Sequence, residues 1–190
     1  FGHIDFAVQH TVPMSDQKPF LPAEFGWIDF VAAHIGSGGV AVIPTETFYG
    51  LAADPRNPRA VEQIFRYKNR DVGRALPLIA ADQEQVDALA PGWREIPAAL
   101  RLSERFWPGP LSLILPAAPG LASGVAALDR TIAVRVTPHV RAAALARLCD
   151  TALIATSANL SGLPAHTLAD DAWRALGSPR DVLVLDDGPT

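Results

Sequence analysis

Apolar residues recur at helical spacing over residues 24–35 (Phe25, Ile28, Val31, Ala32, Ile35), and Gly36-Ser37-Gly38-Gly39 stops that helix. Val40-Ala41-Val42-Ile43 has no polar alternation and reads as a fully buried strand, which Pro44 ends. Asn57 and Pro58 supply an N-cap and a first helical residue for a helix that runs through Ile64 and Phe65 towards Lys68. Residues 76–80 form a short apolar strand, residues 82–89 and 97–106 have helical spacing, and Trp107-Pro108-Gly109-Pro110 breaks the pattern. Strands are expected at 111–115, 131–136, 152–155 and 181–185, with helices at 138–149 and 167–176. Such alternation predicts an α/β fold, a mixed sheet covered by helices. No repeat or long linker divides it.

Composition narrows the class. The chain has 190 residues, 49% hydrophobic and 19% charged, with a net charge of −4. That length can bury roughly 70% of the unfolded surface, so folding needs neither disulfide nor metal. The single cysteine, Cys149, excludes an internal disulfide framework, a cysteine zinc finger and a CxxC redox pair, and fits a reducing, cytoplasmic setting. No run reaches the ~18 apolar residues of a membrane span, and the first twenty residues lack the basic and apolar regions of a secretory signal. Met14 is the only methionine. It is read as the natural start, an ordinary surface methionine being the other option. Residues 1–23 are then an N-terminal lead, 1–13 of it non-native, and 24–190 the domain.

The common signatures of chemistry are absent. There is no Gly-Lys pair for a Walker loop, and Gly36-Ser37-Gly38-Gly39 precedes a strand instead of following one. Neither HExxH nor GxSxG occurs, and the five histidines show no ligand spacing. His34, on a helix, is expected to be structural or superficial. What remains is four polar segments at strand ends, where open α/β sheets bind ligands. Pro44-Thr45-Glu46-Thr47-Phe48-Tyr49-Gly50-Leu51 is a hydroxyl-rich turn, either a plain turn or a site. Between Arg56 and Arg74, six cations face two anions, net +4. Arg56, Arg59 and Arg66 suit a solvated helix face, and Lys68, Arg70 and Arg74 suit phosphate. Arg135, near the end of an apolar strand, needs an anionic partner, whether a ligand or a structural carboxylate. Thr156-Ser157-Ala158-Asn159-Leu160-Ser161 is a polar loop that can be a site or only a loop.

Together these segments resemble the YrdC-type family of threonylcarbamoyl-AMP synthases. The matching motifs are the Pro-Thr-Glu-Thr-x-Tyr-Gly-Leu turn, Lys68-Asn69-Arg70, Trp107-Pro108-Gly109-Pro110-Leu111, Thr131-x-Ala133-Val134-Arg135, Ser157-Ala158-Asn159-x-Ser161-Gly162 and Asp187-Gly188-Pro189-Thr190, in family order. The resemblance implies a single YrdC-like domain, a twisted mixed sheet with a concave basic cavity, truncated at its C-terminal end. It implies that Thr47, Arg135 and Ser157 hold L-threonine, and that Lys68, Arg70, Thr131, Asn159 and Thr167 hold ATP with magnesium. The implied reaction makes threonylcarbamoyl-AMP and pyrophosphate from threonine, bicarbonate and ATP. A partner transferase then modifies an adenosine beside the tRNA anticodon.

This chain departs from the family at three places. Asp71 follows Arg70 where proline is common, in a segment about two residues longer than usual. Leu76 and Ala81 stand where many members carry an Asn and a His, and Arg74 is expected to add a phosphate contact instead. The family's Ser-Thr-Val segment falls beyond Thr190. The competing readings are a non-catalytic YrdC-like nucleotide- or RNA-binding protein, a plain RNA-binding module with weak salt-steep contacts, and a carbamoyl-transferase module.

Overall fold

The computed structural model describes residues 19–22, 26–71 and 74–190. Residues 1–18 of the lead, with Met14 among them, residue 23, and the predicted helix start at Glu24 and Phe25 lie outside the described residues. In chain order the strands are β1 (Phe20–Pro22), β2 (Val40–Ile43), β3 (Gly50–Ala53), β4 (Leu78–Ala80), β5 (Leu113–Pro116), β6 (Thr131–Val136), β7 (Leu153–Ser157) and β8 (Val182–Asp186). The helices are α1 (Trp27–Gly36), α2 (Pro58–Lys68), α3 (Gln83–Leu89), α4 (Pro97–Phe106), α5 (Val140–Leu148) and α6 (Ala169–Ala175). All eight strands of the described residues form one sheet in the order β1-β8-β2-β3-β7-β4-β6-β5. β1, β8 and β2 run parallel, as do β4 and β6, and the other neighbours are antiparallel. The expected mixed α/β sheet is what forms.

Two apolar layers sandwich it. One face packs against α2, α3, α4 and α6 through Val61, Ile64, Val86, Trp93, Ala99 and Trp173. The other packs against α1 and α5 through Ile28, Val31, Ile35, Ala142 and Leu145. Alternation assigns each strand residue to a face. Ile132, Val134 and Val136 point into the first layer, so Thr131, Ala133 and Arg135 share the second face with Ile79, Leu153 and Ala155.

Local chemistry sets the boundaries. Asn57 Oδ1 accepts from the Arg59 and Ala60 amides, at 3.0 and 3.2 Å, and so caps α2 as its sequence predicts. Asn69, with φ of 45°, closes the other end in the left-handed conformation that Asn tolerates. His34 is structural, its Nε2 lying 3.1 Å from the Val40 carbonyl. A Cβ on Gly39 would stand 2.2 Å from that ring.

Two strands escape the sequence pattern. β1 lies in the stretch read as a lead, and β3 in the stretch read as the tail of a turn.

The Trp-Pro-Gly-Pro break anchors the far side of the sheet. Its Gly109 amide donates to the Val136 carbonyl at 2.9 Å, and Trp107 Nε1 donates to the Leu111 carbonyl at 2.7 Å. A Cβ on Gly109 would lie 2.2 Å from the backbone oxygen of Phe106, so the turn would have to move. Gly109→Ala is therefore expected to cost about 2 kcal/mol. A thermal melt should read this as a drop of roughly 4–8 °C, and an unchanged midpoint would refute it.

Candidate functional site

Lys68 is the last residue of α2, and only 2% of it is exposed. Its ammonium donates to the carbonyl of Ser157, the carbonyl of Asn159 (3.0 Å) and Asn159 Oδ1 (3.0 Å). Ser157 Oγ donates to the same Asn159 Oδ1 at 2.7 Å, and Asn159 Nδ2 donates to the Leu163 carbonyl. Two of the predicted segments thus close on one another, although 91 residues separate Lys68 from Asn159. All three ammonium protons have acceptors within the protein. Burial, with the charge of Arg70 beside it, pulls the Lys68 ammonium down to about 8. The three acceptors favour the charged form and work against that shift.

The hydroxyl-rich turn meets this cluster. Ser157 pairs with Gly50 across β3 and β7, and the Ala158 amide donates to the Tyr49 carbonyl at 2.9 Å. Thr45 Oγ1 accepts from the Thr47 and Phe48 amides, both at 3.3 Å, and donates to the Phe48 carbonyl at 2.6 Å. That bonding holds the turn tight and leaves Thr47 exposed. Tyr49 is fully buried, and its hydroxyl donates to the Gly188 carbonyl (2.7 Å) and accepts from the Asp187 amide (3.0 Å). Burial pushes that phenol up to about 12, so it stays protonated and able to donate. The Thr190 amide donates to the Thr167 carbonyl at 3.0 Å, and Thr190 Oγ1 lies 3.5 Å from the Thr47 carbonyl. Thr47, Ser157, Asn159, Thr167 and the Asp187-Gly188-Pro189-Thr190 motif therefore gather at one end of the sheet.

Arg70 and Arg74 approach the same end. Arg70 Nη2 donates to the carbonyls of Arg74 (3.2 Å) and Ala75 (2.8 Å). Its Nε is buried without a partner among the described residues, an N–H that a ligand oxygen could satisfy. Burial and then the charge of Arg74 lower the Arg70 guanidinium. Thr131 begins β6 and donates to Asp129 Oδ1 at 2.7 Å, which leaves its oxygen lone pairs available.

The basic segment itself divides. Arg56 forks onto Asp54 through Nε (3.0 Å) and Nη2 (2.8 Å), and Arg66 stands 3.9 Å from Asp181. Leu76 and Ala81 are buried in the two apolar layers and offer no polar side chain to a ligand.

Arg135 and Ser157 both close apolar strands, a position that by itself suggests one shared end of the sheet, but the strand directions separate them. β4 runs parallel to β6 and antiparallel to β7, so β6 and β7 end at opposite edges. Ile79 pairs with Arg135 on one side and Leu153 on the other, and Ser157 stands four residues beyond Leu153, about 13 Å along the strand. The two side chains share a face but not an end. Arg135 instead meets the turn through Glu46: Arg135 Nε donates to Glu46 Oε1 at 2.6 Å, and Thr137 Oγ1 donates to Oε2 at 2.6 Å. Burial raises the Glu46 carboxyl, but the Thr137 hydroxyl and the Arg135 charge outweigh it and leave it below the ordinary range. Glu46, Tyr49 and Thr137 thus belong to the site's framework, and no local pattern marks the partners they choose.

Hydroxyls, amides and guanidinium groups surround this strand end, an arrangement suited to positioning anions, and among the described residues no nucleophile is primed by a base. The family model described as telomere recombination, covering Sua5, YciO and YrdC proteins, matches residues 33–190. The chain belongs to that family. The threonylcarbamoyl-AMP synthase of Thiobacillus denitrificans is 44% identical over 142 residues, 72% of each chain. That of Pyrococcus abyssi is 39% identical over 168 residues, 86% of this chain and 47% of its own. The structure of P. abyssi Sua5 complexed with L-threonine superposes with a TM-score of 0.80 at 34% identity, over 90% of this chain and 50% of that one. Relatives of this kind support an enzyme and the synthase reading, and lend nothing to the non-catalytic alternative. Among the described residues no helix is long and apolar enough to cross a membrane.

Proposed function

We propose that this chain is a cytoplasmic L-threonylcarbamoyladenylate synthase, a nucleotidyltransferase built on one domain that takes in β1 as well as residues 24–190. The carrying observation is the bonded cluster of Lys68, Ser157 and Asn159, beside the Thr47 turn, in a family whose matched relatives bear the synthase name. The threonine amine and bicarbonate give a carbamate and water. A carbamate oxygen then forms a bond to the α-phosphorus of ATP as the bond to the β-phosphate oxygen breaks, and pyrophosphate leaves. Two anions must be held in line against their repulsion, so positioning and fixed charge supply the catalysis. Thr47 and Ser157 hold threonine at the end of β7, and the long Arg135 side chain reaches it along the shared face from beside Glu46. Lys68, Arg70, Arg74, Thr131, Asn159 and Thr167 surround ATP. Lys68 serves through charge and by fixing the Ser157–Asn159 turn, since its protons are engaged there.

Among the described residues no three His, Cys, Asp or Glu side chains converge on a metal. Magnesium enters as MgATP, held by phosphate oxygens and water. The product passes to a threonylcarbamoyl transferase for tRNA, with at most weak RNA contact by this chain.

Pyrophosphate release from ATP is expected only with magnesium, L-threonine and bicarbonate all present. Equal release without threonine, or none from folded protein, would sink the reading. Arg70→Ala should weaken ATP binding by about 1.5 kcal/mol or more, a tenfold rise in Kd by calorimetry. Its stability loss should stay near 1 kcal/mol, since only two loop carbonyls lose a donor. Unchanged ATP affinity would return Arg70 to the role of a loop staple.

A further inference from the structure

Glu46 sits between Thr45 and Thr47, yet its carboxylate joins neither hydroxyl. It reaches β6, although β3, β7 and β4 lie between β2 and that strand. Four strand spacings in a flat sheet come to ~19 Å, so the turn must bridge a sheet that curls towards it. The pair is enclosed, with the Arg135 and Glu46 side chains only 11% and 12% exposed. Thr137 Oγ1, which donates to Glu46, also accepts from the His139 amide at 3.1 Å, and the His139 ring lies 3.5 Å from the Ala142 amide at the start of α5. One carboxylate thereby ties the turn after β2 to the end of β6 and the N-terminus of α5.

We propose that Glu46 is a positioning residue for the amino-acid substrate: it holds Arg135 by Nε beside the Thr47 turn, so that the Nη edge of the guanidinium faces the substrate carboxylate. A guanidinium is planar and carries five N–H donors in a fixed fork. A bond at Nε sets the roll of that plane and uses one donor. No hydrogen bond to either Nη atom is present among the described residues, so that edge remains for a second carboxylate. The Glu46 charge also offsets the cost of keeping Arg135 enclosed before substrate arrives. The arrangement gives Arg135 a second role besides ion pairing, and it brings together two residues that the strand ladder holds at opposite ends. The substrate half rests on the synthase reading. The clamp itself does not.

The clamp is tested by nuclear magnetic resonance of the full chain and by kinetics of pyrophosphate release. The Arg135 Nε–H signal, identified by its loss in Arg135→Lys, should exchange slowly with water in the parent protein and become fast in Glu46→Ala. Glu46→Ala should raise the KM for threonine at least tenfold while the KM for ATP stays within twofold. Glu46→Gln keeps an acceptor for Nε and should fall between parent and alanine variant; it also carries the test if Glu46→Ala does not fold. Because Glu46 acts through Arg135, adding Glu46→Ala to Arg135→Lys should worsen the threonine KM by less than twofold. Fast Nε–H exchange in the parent protein, equal rises in both KM values, or effects that multiply in the double variant would each overturn the proposal. A parent protein with no threonine-dependent release would end the synthase reading, and the exchange measurement would still decide the clamp.

Discussion

Lys68→Met should lower the melting midpoint by roughly 6–12 °C and cost most of the affinity for ATP. Methionine replaces the volume but supplies no proton to Ser157 O, Asn159 O or Asn159 Oδ1. Leaving buried acceptors unpaired costs about 3 kcal/mol at the upper end, and each kcal/mol moves the midpoint by about 2–4 °C in a chain of this size. The turn that carries Ser157 and Asn159 then loses its anchor to α2. The pH dependence has a definite sign. The folded Lys68 titrates at about 8, against roughly 10.4 when unfolded. Between those values the unfolded chain holds a proton that the folded one has released, so stability rises with pH, by at most ~1.4 kcal/mol per unit. Below 8 both states are protonated and the slope vanishes. Melts from pH 7 to 10.5 should show this rise in the parent and not in Lys68→Met. Equal curves, or a parent whose stability falls across the window, would mean that the ammonium keeps its ordinary pKa.

Trp93→Ala should be as damaging for a different reason. The indole is 1% exposed, lies 5.5 Å from the Trp107 ring and donates from Nε1 to Asp87 at 2.6 Å. It joins the stretch between α3 and α4 to the Trp-Pro-Gly-Pro turn that anchors β6. Removing so large a buried ring costs about 4 kcal/mol, or roughly 8–16 °C in the midpoint. Trp93→Phe keeps most of the volume and should recover more than half of the loss. A chemical denaturation series in which the alanine variant matched the parent would show that this contact carries no load.

The sequence makes α2 legible to the residue because its signals are local: an Asn cap, a proline at the first position, a stripe of Ala60, Val61, Ile64 and Phe65, and an Asn stop. β3 was not legible. Gly50-Leu51-Ala52-Ala53 has no β-branched residue and follows a polar turn, so only its antiparallel partners on both sides make it a strand. β1 contains Pro22 and exists because β8 pairs with it. The same divide runs through the site. Residue types at strand ends point to anions and small polar ligands, and the family motifs supply roles. Which carboxylate answers Arg135 depends on a contact spanning 89 residues. The placing of Arg135 with Ser157 fails because the relative direction of β6 and β7 is a property of the whole sheet.

The position of β8 bears on how the protein is made. Val182–Asp186 lies between β1 and β2, with Phe20 facing Val184 on one side and Val40 facing Val182 on the other. A ribosome delivers residues 20–43 long before the strand that must come between them. Until then β1 has no neighbour among the described strands, and one edge of β2 stays open. Local helices can form early, but closing this sheet waits on a loop of some 140 residues, an ordering that slows folding. The half-made chain therefore carries an apolar strand edge, Val40-Ala41-Val42-Ile43, of the kind that recruits other chains. Its need for a chaperone should be greatest during translation and should end when the last strand slots in.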